Sequence, residues 1–177
     1  MLRVRHSGPV EEHQGTADGP ALAELLRLVR RDGEIDPRDE HDRWAVYQAA
    51  LARADVAGPL LAATVAEPEP ALAVGVAFAM LERLPAVEAE PWVRAVPEPE
   101  REKVRARAGD LAVLRGRTPV DAGAAEPEVA AWSDWLQRRL AAESHSAAVL
   151  VLLEAHGRTR RVRGLARERL VRSRRAG

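Results

Sequence analysis

The sequence predicts an all-α protein of stacked antiparallel helical hairpins, and three observations carry that prediction. Apolar residues return at helical spacing along most of the chain. Proline stands at the openings of those segments or between them, and the openings themselves recur. Composition agrees: with 3% aromatic residues and a single Ile, a core has to be built from Leu, Val and Ala, whose small contacts suit close helix–helix packing. No β-branched run alternates with polar residues, so strands are not expected.

Taken in order, residues 1–16 lack periodic hydrophobicity and are expected to form a flexible tail, and residues 17–177 a single helical-repeat domain. Leu22, Leu25, Leu26 and Val29 stand at i, i+3, i+4 and i+7, with Gly33 as the terminator. Asp36 and Pro37 supply an N-cap and a first-turn proline for the next helix, whose inward face is expected to hold Trp44, Tyr47, Gln48 and Leu51. Pro20, Pro37, Pro59, Pro70, Pro91, Pro99 and Pro127 each open a periodic segment, where a missing N–H costs nothing. Pro68, Pro85, Pro97 and Pro119 fall between segments. Longer helices are expected to begin near 37, 70, 99, 127 and 159, with shorter ones at Pro59–Ala66, Glu90–Val96 and His145–His156. A helix pair every ~30 residues marks a helical-repeat array.

Two stretches sharpen this. Val104-Arg105 is followed by Ala108 and Leu111, and Val162-Arg163 by Ala166 and Leu170; Ala73, Ala77 and Leu81 keep the same register without the Arg. The pattern resembles the second helix of HEAT-type repeats over roughly residues 37–175. The resemblance implies a HEAT-like α-solenoid or a compact right-handed helical array, with Arg105 and Arg163 at the edge of the stack. It implies no activity, because such repeats host many roles. The repeats are shorter than the ~40–47 residues of the family, and residues 118–126 make a poor helix.

Charge is balanced overall and uneven along the chain. The net charge is zero, yet residues 131–177 hold 11 basic and 4 acidic groups, which is +7 against −7 for the remainder. Twenty-six Arg against one Lys, with abundant Ala, Val, Gly and Pro, read as the product of a high-G+C bacterial genome. Nine of those Arg fall between Arg158 and Arg175, on a segment that Thr159 can cap and whose apolar stripe is Val162, Leu165, Ala166 and Leu170. Arg clusters bind phosphate bidentately, but charge runs on helices are usually solvated and locally paired. Val129, Trp132, Leu136 and Leu140 mark another inward stripe, with Trp135 beside it.

The candidate partner contacts are Trp92, Trp135, Arg138, Arg139, Arg160, Arg163, Arg167 and Arg174. Asp36, Asp39, Glu40, His41 and Asp42 contain ligand-type atoms, but consecutive helical residues diverge, and carboxylates at a helix N-terminus are expected from its dipole. No metal or cofactor is expected. Without Cys there is neither a disulfide framework nor a thiol nucleophile. The nucleotide-binding, serine-hydrolase and zinc-protease signatures are missing. Arg3 and Arg5 are followed by no apolar stretch, so no secretory leader is expected, and no apolar run reaches membrane-spanning length; the expected location is the cytoplasm, with no membrane partner.

The reading that fits best is a non-catalytic scaffold or adaptor that binds a protein partner. The alternative is nucleic-acid binding through the Arg-rich C-terminus. Trp132-Ser133-Asp134-Trp135 is loosely similar to the Trp and Asp side chains that HEAT-like bacterial DNA glycosylases place around a damaged base. Self-association, with the basic end of one copy on an acidic region of another, is the third.

Overall fold

The computed structural model describes residues 19–29, 35–116 and 126–176. The tail expected over 1–16, the terminator Gly33, Pro119 and most of the segment 118–126 lie outside them. Of the described residues 79% are helical, in ten α-helices and two short 3-10 turns, with no strand among them.

The helices are α1 (Pro20–Val29), α2 (Glu40–Leu51), α3 (Ala57–Val65), α4 (Pro70–Leu81) and α5 (Glu90–Ala95), then α6 (Glu98–Leu114), α7 (Glu126–Ala131), α8 (Asp134–Glu143), α9 (Ala147–His156) and α10 (Arg160–Ala176). Short 3-10 turns at Ala54–Val56 and Ala86–Glu88 precede α3 and α5.

Proline marks five of these ten starts. Pro20 and Pro70 are the first residues of their helices, and Pro91, Pro99 and Pro127 the second. There the N–H that proline lacks would have had no partner in the helix. The starts expected near 70, 99, 127 and 159 fall at 70, 98, 126 and 160.

The start of α2 is different. Pro37 lies in a turn, and the helix begins three residues later. Asp36 accepts a hydrogen bond from the Arg38 N–H at 2.9 Å, closing a local turn instead of capping. Asp39, in extended conformation, is the N-cap: its carboxylate accepts from the His41 and Asp42 N–H groups at 2.7 and 3.1 Å. Those two donors hold the Asp39 carboxyl below its ordinary range.

The inward face of α2 also differs from expectation. Arg43, Val46, Tyr47 and Ala50 are buried, whereas Gln48 is exposed and Trp44 and Leu51 are half-buried. A charged residue leads the stripe because it has a buried partner.

The described chain forms two compact units. The first holds α1, α2, α3, α4 up to Met80, and residues 94–100. Within it α1 packs on α2 and α3, and α2 packs on α3. Leu25, Val46, Tyr47, Ala50, Leu60 and Ala63 are buried there.

The second unit holds residues 81–93 and everything from Arg101 onward. Here α10 packs on α9 and α8, and α9 packs on α7 and α8. One cluster joins Val129, Trp132, Leu136, Leu140, Val149, Leu150, Leu153, Val162, Ala166 and Leu170, with Leu165 and Trp135 packed against it. The stripe Val129–Leu140 is interrupted, because Ser133 ends one helix and starts the next, its hydroxyl accepting from the Leu136 N–H at 3.1 Å. All four stripe residues stay buried across the break.

Two glycines are dictated by geometry. Gly116 follows α6 with φ 68°, the left-handed conformation that ends helices. Gly157 ends α9, where a Cβ would run into the Leu153 carbonyl oxygen and lie 2.8 Å from Cγ1 of Val162. The tight turn from α9 into α10 needs that absence.

Candidate interaction surface

A helix leaves its last carbonyls without intrahelical donors, and this chain meets that need with arginine. In the second unit Arg115 donates to the carbonyls of Leu81, Glu82 and Leu84 at 2.8–2.9 Å, closing the end of α4. Arg158 donates to Ala130 and Trp132 at 2.9 and 3.0 Å, at the end of α7, and its Nη1 meets Asp134 at 2.7 Å. Arg169 reaches Ser144 and Glu143 at the end of α8. In the first unit Arg53 does the same for Leu28 in α1. A planar fork with five donors suits clustered carbonyls better than an ammonium group would.

Gln137 completes the arrangement. It is fully buried, donates to the carbonyls of Val129 and Trp132, and accepts from the Arg158 N–H at 2.8 Å. The break between α7 and α8 is thereby tied to the turn before α10.

This changes the standing of the Arg-rich end. Arg163 is half-buried and donates to the Gly157 carbonyl. Arg167 meets Glu154 on α9 at 2.8 Å. Arg160, Arg161 and Arg174 are exposed, and among the described residues nothing is bonded to their side chains. Arg138 is exposed and donates to the Asp134 carbonyl of its own helix, while Arg139 pairs with Glu143 one turn on.

Of the aromatic candidates, Trp92 is corrected by the structure. It is 4% exposed, held in the core of its helix, and offers no face to a partner. Trp135 is half-buried, and its ring is already covered: the Arg107 guanidinium lies 3.9 Å from the ring centroid and that of Arg139 5.6 Å. Burial pushes the Arg107 guanidinium below its ordinary value and Arg139 adds to this, with Asp110 and Glu82 opposing. The chain's own cations thus occupy the place where a base or a partner side chain would stack.

Part of the open surface is apolar. On α9, Val149, Leu150 and Leu153 face the core, while Ala147, Ala148, Val151 and Ala155 face outward, with Val151 49% exposed. Those four residues are uncharged, and Glu154, which borders them, is paired with Arg167. A helix apolar on both sides is normally covered on both sides. The Glu154–Arg167 pair marks the seam between α9 and α10. On α3, which has no ionisable residue at all, Gly58, Ala62 and Val65 form a similar outward stripe, and Val65 is 64% exposed.

The sequence reading missed both faces. Their signal is present as two helices with too few polar residues for a surface position, Ala57–Val65 and Ala147–His156. It also missed Arg43, Glu67 and Gln137, buried polar residues that hydropathy assigns to the surface. Among the described residues no three or more His, Asp or Glu gather as metal ligands, and no helix is long and apolar enough to cross a membrane. Comparison of the chain with protein-family models, with curated proteins and with solved structures found no match.

Proposed function

We propose that the chain is a non-catalytic, HEAT-like interaction module of the cytoplasm that receives a protein partner on the outer face of α9. One observation carries this: Ala147, Ala148, Val151 and Ala155 form an uncharged, solvent-facing stripe on a helix whose other side is already core. Single exposed apolar residues are ordinary, but a continuous stripe marks a contact surface. The repeat-like arrangement is supported by contacts that skip one helix: α1 with α3, α7 with α9, and α8 with α10. Stacked hairpins make such contacts between equivalent helices of successive pairs.

A photo-crosslinking residue placed at position 151 and expressed in native cells tests the reading. The expected result is a discrete protein adduct at 151 and none at position 142, an exposed site on α8. Absence of any adduct at 151 contradicts it.

The nucleic-acid alternative has one observation in its favour, the unbonded Arg160, Arg161 and Arg174. Against it, Arg158, Arg163, Arg167 and Arg169 are engaged within the fold and Trp135 is covered. Three phosphate contacts would give a shallow salt dependence, with a slope of roughly −3 in log affinity against log salt. A filter-binding titration with single- and double-stranded DNA that gives a slope much steeper than this favours the alternative.

A further inference from the structure

We infer that the partner on α9 is a second copy of this chain, which docks the outer stripe of its α3 there, head to tail. The inference rests on the reading of α9 as an interaction surface and names the occupant.

Both stripes have the geometry of one half of a helix pair. Gly58, Ala62 and Val65 stand at i, i+4 and i+7 on α3; Ala148, Val151 and Ala155 stand at i, i+3 and i+7 on α9. Each consists of small residues around one protruding valine, Val65 at 64% and Val151 at 49% exposure. Small side chains let two helix axes approach toward the short end of the usual 8–10 Å separation, so that each valine enters the gap left by glycine or alanine.

Three pairings of these faces are conceivable, and charge separates them. Pairing α9 with α9 brings together two copies of residues 131–177, each with 11 basic and 4 acidic side chains. Pairing α3 with α3 brings together two copies of residues 35–80, which hold seven acidic and three basic side chains. Only α3 on α9 sets an acidic segment against a basic one. A symmetric dimer is therefore disfavoured, and the contact is heterologous. A single helix pair buries less than roughly 1,200 Å², the range of weak, reversible contacts.

Sedimentation velocity of the full chain across a wide concentration range is the test, with Val65→Asp and Val151→Asp as variants. Both valines are exposed, so both variants are expected to keep the wild-type circular dichroism and thermal midpoint. Wild-type protein is expected to sediment faster as concentration rises and to revert toward monomer at high salt. Each variant alone is expected to stay monomeric, with affinity lowered by about ten-fold or more because a charge enters an apolar contact. An equimolar mixture of the two is expected to form dimers and nothing larger, since one intact α3 stripe meets one intact α9 stripe.

A wild-type monomer at every concentration overturns the inference, as does a Val65→Asp variant that assembles like wild type. A mixture that stays monomeric overturns the head-to-tail pairing. A monomer that still yields a crosslink from position 151 to a different protein leaves the proposed function standing and removes only the second copy as its partner.

Discussion

Arg43 and Glu67 form a buried ion pair in the first unit, with Nη2 of Arg43 3.0 Å from Oε1 of Glu67 and both side chains at most 5% exposed. Glu67 also accepts from the Tyr47 hydroxyl at 2.6 Å and from the Glu69 N–H at 3.0 Å, and Arg43 donates to the carbonyls of Pro37 and Arg38. The pair therefore fastens the loop after α3 and the turn before α2 to one face of α2. Burial first, and then the bond to Glu67, push the Tyr47 phenol well above its ordinary value, which keeps it a donor.

Glu67→Ala leaves the guanidinium of Arg43 buried without its counter-charge. The expected loss in a denaturant titration is about 3–5 kcal/mol, and the Arg43→Leu/Glu67→Leu double variant should lose clearly less than Glu67→Ala alone. Equal losses for the single and double variants would show that the pair acts only through volume.

Gln137→Leu keeps the volume of a fully buried side chain and removes its bonds to Val129, Trp132 and the Arg158 N–H. The expected loss is about 1–3 kcal/mol from groups left unpaired. Hydrogen exchange should then rise at the Arg158 amide. Unchanged protection there would contradict the assigned bond.

Gly157→Ala adds a methyl group where the Leu153 carbonyl and Val162 leave no room. A loss of about 1–3 kcal/mol is expected from overpacking, with the variant's thermal midpoint as the readout. A neutral outcome would mean that the turn into α10 is looser than described.

Asp39 supplies a pH signature. Its carboxyl is held below the ordinary value in the folded chain, so its contribution is present above the unfolded pKa of about 4 and is lost as pH falls through the lower folded value. Asn also caps helices well, so Asp39→Asn is expected to keep the neutral-pH thermal midpoint while flattening its fall on acidification. Asp55 and Glu24, lowered by Arg53 and Arg27, retain the rest of that slope. An unchanged acid slope in Asp39→Asn would contradict the cap.

The helices could be read from the sequence because their signals are local. Proline at Pro20, Pro70, Pro91, Pro99 and Pro127 removes an N–H that the helix does not use, and Thr159 caps α10 as expected, accepting from the Val162 N–H at 3.2 Å. The flank Val162, Ala166 and Leu170 is buried as its spacing predicts.

What could not be read depends on partners distant in the chain. Arg43 resembles any surface arginine until Glu67, 24 residues on, is beside it. Arg115 and Arg158 answer to helix-end carbonyls, which carry no residue signature. Trp92, a candidate contact by sequence, lies in a helix of six residues, too short for periodicity to reveal its inner side. Asp36 and Asp39 are both capable caps, and only the local turn at Asp36 decides between them.

The account turns on whether another polypeptide covers the outer face of α9 in the cell. The chain has no cysteine, so Val151→Cys carries a single thiol on that face. Its labelling by a maleimide in intact cells, set against Ala142→Cys and against both purified proteins at high dilution, is the direct measurement. The account predicts fast labelling of both thiols when dilute, and in cells a marked slowing at 151 alone. Equal labelling at 151 and 142 under both conditions would contradict it.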